Sequence, residues 1–234
     1  MKVKTKPILC FLISVLNAQS EWNIKHLIDK NNYKYTPLSD VPYTGKVYSN
    51  YYNGEIKVSG EFVSGIKDGL WTEWYNNGRK MKQERYENGK RNGGWSWWYY
   101  NGKIKQQGSY NNGQQQGLFF RWYKSGNKFQ RGYFEKGKLH GILTEWADNG
   151  YKESEKMFKH GTQVEYFYVD DVYSDGSNKL NAMIVEGDYH GLFTKWFYNG
   201  GKEQEGHYSF GKKNGLWVYW YKNNKKKLRG ITQK

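Results

Sequence analysis

Five histidines are the side chains of this 234-residue chain best suited to acid–base or metal chemistry, and they are His26, His140, His160, His190 and His207. Metal sites recognisable from sequence place histidines at short spacings such as H-x-x-x-H or H-E-x-x-H, and neither spacing occurs here. Three of the five, His140, His160 and His190, directly precede a glycine. A recurring His-Gly pair predicts a turn, so we expect no metal site among these residues.

An acidic segment is the second candidate for chemistry, and we interpret Asp170, Asp171, Tyr173 and Asp175 as a candidate binding site. The segment lacks the distal glutamate of a calcium loop. The chain also has no G-x-S-x-G motif, no phosphate-binding loop and no dinucleotide fingerprint. The sequence therefore predicts a protein that is not an enzyme and has no cofactor.

Aromatic side chains are frequent, with 22 Tyr, 11 Trp and 11 Phe. Exposed indole and phenol rings can stack on sugars or bases, or enclose a quaternary ammonium group. Packed rings instead bury roughly 150–250 Å² each. Because the rings recur in register, we interpret them as the packing between successive structural units.

These rings belong to a repeat with a period of 24 residues. Gly93 is therefore equivalent to Gly69, and Trp95 is equivalent to Trp71. Self-similarity at a fixed period is typical of repeat architectures. The residues that we assign to the structural repeat are Gly69, Trp71, Trp74, Tyr75, Gly78, Tyr86, Gly89, Trp95, Trp98, Gly102, Tyr110, Trp122, Trp146, Trp196, Trp217 and Trp220. Eight units fit residues 45–234.

The sixth unit, about residues 162–190, is degenerate and has two extra residues. Phe167 replaces its opening glycine, and Val172 replaces a tryptophan. The acidic segment lies in this unit, which is why we single it out for binding. Sequence drift in a tolerant array is the alternative interpretation.

Two turn signals per period predict two strands per period. Asn-Gly pairs such as Asn53-Gly54 and Asn88-Gly89 favour type I′ turns, because both residues tolerate a positive φ. Aromatic segments that favour strands flank each turn. Trp71 and Trp74 are three residues apart, so either both sheet faces carry aromatic rows or a bulge rotates the strand.

The ends of the chain differ from the repeat. Residues 1–20 have the basic, apolar and small-residue regions of a signal peptide, which predicts a secreted, periplasmic or cell-envelope protein. The one cysteine, Cys10, lies in this leader, so the mature protein would have no disulfide or thiolate site. We interpret residues 21–44 as an N-terminal cap and lead-in, because repeat arrays need an atypical end.

The formal net charge is +15. A surface of this sign favours anionic partners such as acidic proteins, lipid head groups, nucleic acid or wall polymers. Lysine-rich strands also solvate a sheet and guard its edges against pairing. The latter is the simpler interpretation of most of these lysines.

The repeat resembles a known family. The pattern G-x-W-x-x-W-Y-x-N-G, followed by G-x-Y-x-x-G-x-x-x-G, is similar to the MORN-repeat variant of bacterial YwqK-like antitoxin proteins. Trp95 to Gly102, then Gly108, Tyr110 and Gly113, follow this pattern. The resemblance covers about residues 43–230 and implies an all-β fold: an elongated, single-sheet antiparallel meander of stacked β-hairpins. It also implies a scaffold or binding surface, with a toxin partner in the antitoxin case.

We therefore expect a secreted, non-enzymatic repeat scaffold. Its aromatic and basic sheet face would bind a macromolecular partner, in the first place a protein. The alternatives are a cell-surface glycan, an anionic lipid, or antitoxin-like neutralisation of a toxin, with which a secretory leader fits poorly. Nucleic acid is not an expected partner, and the sequence leaves the oligomeric state open.

Overall fold

A computed structural model describes residues 21–232, and it describes side chains up to residue 227. The fold is nearly all β, and the described residues contain no α-helix, only a three-residue 3-10 helix at Ile24–His26. Consecutive antiparallel hairpins follow one another as a meander, which confirms the predicted fold class. No helix of this part of the chain has the length and apolarity needed to span a membrane. The predicted signal peptide lies outside the described residues.

The chain divides after Arg91 into two compact units. The strands of the first unit are β1 (Trp22–Asn23), β2 (Ile28–Lys30), β3 (Tyr33–Tyr35), β4 (Gly45–Asn50), β5 (Ile56–Val63), β6 (Ile66–Trp74) and β7 (Lys80–Glu87). Strands β4 to β7 form antiparallel hairpins, while β1 pairs in parallel with β4. The core of this unit includes Leu27, Val47, Phe62 and Trp71, so the lead-in segment packs on the first repeats.

The division between the units lies within strand β8 (Lys90–Trp98). The strands that follow it are β9 (Ile104–Asn111), β10 (Gln114–Gln115), β11 (Gly117–Trp122), β12 (Lys128–Glu135), β13 (Lys138–Leu139), β14 (Gly141–Trp146), β15 (Lys152–Lys159), β16 (Thr162–Val164), β17 (Tyr166–Val172), β18 (Asn178–Val185), β19 (Asp188–Trp196), β20 (Lys202–Ser209), β21 (Lys212–Trp220) and β22 (Lys226–Thr232).

The second unit contains two hydrogen-bonded sheets where the sequence predicted one. The first ends at β16, and the second runs from β17 to β22. The break falls in the degenerate sixth repeat. Opening glycines such as Gly141 and Gly191 have positive φ values of 80° and 73°, a backbone geometry that Phe167 does not share. Phenylalanine disfavours this conformation, and the hydrogen-bonded ladder ends in this repeat.

Each hairpin has a register shift beside its second tryptophan position. Glu73 pairs with Lys82 but Trp74 pairs with Lys80, so Met81 is an extra residue in the partner strand. Aromatic rings nevertheless occupy both faces. Trp95 and Trp97, two apart, have ring centroids 5.9 Å apart, and Phe120 and Trp122, on the alternate positions, are 5.8 Å apart. The structure thus combines both alternatives that the sequence left open.

The two turns of each period differ in type. At the second turn, Asn88 and Gly89 both have a positive φ, 49° and 78°, as the predicted type I′ turn requires. At the first turn, Gly54 has a φ of 87° and its N–H donates to the carbonyl of Tyr51, 3.0 Å away, while Asn53 has no positive φ. This geometry is a type I turn closed by a glycine bulge, so the type I′ prediction was wrong there.

Rings and hydroxyls join successive repeats. The position two residues after the opening glycine is buried in repeat after repeat, at Val47, Trp71, Trp95, Phe119, Leu143, Phe193 and Trp217. Tyrosines at the first turn bind the following repeat, since the Tyr51 hydroxyl donates to the Trp74 carbonyl at 2.6 Å and Tyr99 donates to Trp122 at 2.7 Å. These contacts hold the strands that present the surface described next.

Candidate functional site: grooves centred on the repeat glycines

Three grooves lie along the hairpins, and we call them the repeat grooves. Each is lined by the glycine of a second strand, Gly60 in the first unit and Gly132 or Gly206 in the second. Met183 and His190 of the second sheet also line the groove at Gly132. Their volumes are about 640, 430 and 600 Å³ respectively. At Gly60 and Gly206 the strand pairing shifts register, so the backbone ladder is locally interrupted where the groove lies.

Aliphatic side chains that directly follow opening glycines line these grooves. Leu118 and Ile142 line the groove at Gly132, and Leu192 and Leu216 line the one at Gly206. These leucines keep 46–50 % of their surface exposed. These leucines were not predicted, although the Gly-Leu pair recurs when the repeats are aligned with one another.

The other side of the groove glycine carries the buried rings. A Cβ atom built on Gly206 would lie 2.3 Å from the indole of Trp217, and one on Gly60 would lie 2.3 Å from Trp71. The absence of a side chain therefore lets the ring lie against the strand. This packing fixes the strand whose opposite face forms the groove floor.

Lysines cover many of the aromatic rings. Lys67 lies 4.1 Å from the Trp71 ring centroid, and Lys213 lies 4.3 Å from that of Trp217. The ammonium groups of Lys57, Lys105 and Lys227 lie 5.4–5.6 Å from the ring centroids of turn tyrosines. Distances of this size fit cation–π contacts. The aromatic surface is therefore also a basic surface.

The structure gives the candidate acidic residues local partners. Asp171 forms an ion pair with Lys179 at 2.8 Å, and these contacts lower the pKa of the Asp171 carboxyl. Asp175 accepts the Ser177 N–H at 2.9 Å, as the asparagines of other first turns accept theirs. Tyr173 donates to the Trp196 carbonyl at 2.8 Å.

Asp170 accepts a hydrogen bond from the Asn181 side chain across the same hairpin. Asp170 and Asp171 are consecutive in a strand, so their side chains leave on opposite faces. The four candidate residues therefore do not converge on one point. Their contacts serve the hairpin of the sixth repeat.

The predicted turn role of the histidines has a specific form. In six repeats a polar side chain just before the opening position accepts the N–H of the first residue of the type I′ turn. Asp68 accepts from Asn88 at 3.0 Å, and His190 accepts from Phe210 at 3.2 Å through Nδ1. Burial lowers the pKa of His190 to about 4, so its imidazole is neutral and Nδ1 is free to accept.

His140 repeats this arrangement but has unusual neighbours. Its Nδ1 accepts the His160 N–H at 3.4 Å, and the rings of His140 and His160 are 4.7 Å apart. A carboxylate oxygen of Glu135 lies 3.7 Å from His140 Nδ1 and 3.6 Å from His160 Nδ1. His140 also lines the groove at Gly132. Spacing rules could not find this cluster, because three different positions of two repeats build it.

No protein-family model matches the chain, and none of the curated proteins compared with it is significantly similar. The resemblance to the MORN-repeat variant therefore stays a prediction. The grooves, the lysine-covered rings and the histidine cluster have to be interpreted from their own chemistry.

Proposed function

We propose that this protein is a non-enzymatic repeat scaffold that binds an acidic protein partner at the repeat grooves. The single observation that carries the proposal is the set of half-exposed leucines that line the grooves in equivalent repeats. Exposed apolar side chains that recur in a pattern mark interaction surfaces more often than single ones do. Apolar side chains of a partner would fill the grooves.

Charge supports an acidic partner. The chain has a formal net charge of +15, and complementary charge speeds association and selects partners. The leader-like residues 1–20 support a location outside the cytoplasm, where this partner would also be found.

The rings favour a protein over a sugar. Sugar-binding repeats present bare ring faces for stacking, whereas here lysines lie over Tyr51, Tyr99 and Tyr221. A covered ring offers positive charge instead of a flat apolar face. Anionic lipid uses the same charge but does not need shaped grooves.

Leu192→Lys and Leu216→Lys test the proposal. The partner that wild-type protein retains from its envelope or secreted fraction is identified, and its affinity for each variant is measured. We expect each variant to bind at least tenfold more weakly, because a lysine fills the groove with charge. Leu38→Lys, at a fully exposed leucine outside the repeats, is the matched control.

Three results would contradict the proposal. One is a retained protein that binds both groove variants as well as wild type. The second is that no protein is bound and that vesicles containing phosphatidylserine retain the wild type but not the groove variants. The third is the same result with wall glycan in place of the vesicles. Those two results would indicate the lipid or glycan alternative.

A further inference from the structure

The cluster of Glu135, His140 and His160 has the composition of a metal site. One atom from each residue, a carboxylate oxygen or an imidazole nitrogen, lies within 4.8 Å of both others. Two imidazoles and one carboxylate are a donor set that zinc takes in proteins, with a fourth position left for water or another ligand. Calcium and magnesium prefer all-oxygen sites.

The distances fit a small tetrahedral ion. Ligands at 2.0–2.1 Å from zinc are separated by roughly 3.4 Å at the tetrahedral angle. The Glu135 oxygen is 3.7 Å from His140 Nδ1 and 3.6 Å from His160 Nδ1. Movements of a few tenths of an ångström would bring these two pairs of atoms to the separation expected between two ligands of one zinc ion.

The three ligand side chains differ in how much of their surface is exposed. The His140 side chain is only 13 % exposed and is held by the hairpin, while His160 is 61 % exposed and Glu135 is 37 % exposed. One ligand is therefore fixed, and two can adjust to the ion. The hydrogen bond that His140 Nδ1 would give up is 3.4 Å long, beyond the usual range of 2.7–3.2 Å.

The repeat supplies an internal comparison. Two repeats further on, the positions equivalent to Glu135, His140 and His160 are Val185, His190 and Phe210. There the same turn hydrogen bond forms, from Phe210 to His190 at 3.2 Å, without any further donor group at the equivalent positions. The turn therefore needs only one acceptor, and Glu135 and His160 are additional to it.

We propose that Glu135, His140 and His160 bind one divalent transition-metal ion, with Zn²⁺ as the ion of matching chemistry. The ion joins two successive type I′ turns, since Glu135 precedes one turn and His160 opens the next. His140 also lines the groove at Gly132, so the site borders this groove.

The test is a calorimetric titration of the purified, chelator-treated protein with zinc chloride. We expect one equivalent to bind. His160→Asn and Glu135→Gln should each weaken binding at least tenfold, since each removes one ligand of three. Asparagine suits the positive φ of 49° at position 160, so the turn should persist. Magnesium chloride should show no binding under the same conditions.

His207→Asn, at an exposed histidine outside the cluster, is the control and should bind zinc like wild type. The proposal is overturned if wild type binds no zinc, or if both cluster variants bind it undiminished. It is also overturned if the control weakens binding as much as they do. Circular dichroism checks the fold of each variant, and if one of the two cluster variants is unfolded, the other decides.

Discussion

At the scale of single residues, the position of Gly60 and Gly206 in the second strand of each repeat is occupied by different residues in different repeats. In four repeats a ring packs against a glycine at this position, but the second repeat has Glu84 there, with only 2 % of its surface exposed. Glu84 accepts the Tyr86 hydroxyl at 2.9 Å and pairs with Lys82 and Arg91 at 3.1 Å each. A buried carboxylate needs such partners, because leaving it unpaired is costly.

Glu84→Gln should make the first unit less sensitive to acid. Burial by itself raises the pKa of the Glu84 carboxyl, but the hydrogen bonds from Tyr86 and Lys82 and the nearby positive charges lower it overall. A carboxyl whose pKa is lowered by folding stabilises the fold above its ordinary pKa, and this contribution is lost as the pH falls through the folded value. We expect the variant to lose about 1–2 kcal/mol at pH 6.

Below pH 4 the difference between wild type and variant should shrink. Urea unfolding at a series of pH values measures it, with Glu87→Gln, at an exposed position of the same strand, as the control. A difference in unfolding free energy that stays constant from pH 6 to pH 3 would contradict the assignment of a lowered pKa.

At the scale of elements, the sequence predicted the hairpins well because glycine and asparagine mark each turn. It predicted the type I′ turn at Asn88-Gly89 correctly, but the same dipeptide at Asn53-Gly54 forms a different turn. The dipeptide tolerates both geometries, and the choice follows from the strand pairing on each side. The leucines of the grooves were not predicted, because the recurring Gly-Leu pair becomes visible only when the repeats are aligned with one another.

Gly206→Ala should separate the packing role of the strand glycines from their turn role. Gly206 lies in β20, and its added Cβ would meet the Trp217 ring of β21 at 2.3 Å. The ring cannot move without disturbing the hairpin, so we expect a loss of about 1–3 kcal/mol in unfolding free energy. Gly94→Ala is the control, since its Cβ would meet no atom closer than 4.0 Å. Equal stability of the two variants in thermal unfolding would show that the ring does not depend on the glycine.

At the scale of the whole molecule, the array was predictable and its interruption was not. Eight units were counted from the sequence, and the sixth was recognised as degenerate at Phe167. That a sheet would end at β16 and a second begin at β17 depends on backbone pairing, which the composition of the repeat does not encode. The histidine cluster belongs to this scale too, since residues 20 positions apart meet only when the turns are adjacent.

The two sheets of the second unit share a core that replaces the missing ladder. Met157 of β15 is fully buried, and it clusters with Met183 and Val185 of β18, across the break. In a continuous ladder, hydrogen bonds would join the repeats here. Side-chain packing between these methionines and valine must therefore supply the coupling that backbone pairing supplies elsewhere.

Met157→Ala should consequently loosen both sheets. Removing a fully buried methionine side chain typically costs about 2–5 kcal/mol, and in repeat proteins such a loss falls mainly on neighbouring repeats. We expect hydrogen–deuterium exchange to rise in β15 of one sheet and in β18 of the other, while β21, two hairpins away, changes little. Exchange that rises in β15 alone would mean that the sheets do not stabilise each other through this cluster. An equal rise in β21 would instead show that the second unit unfolds as a whole.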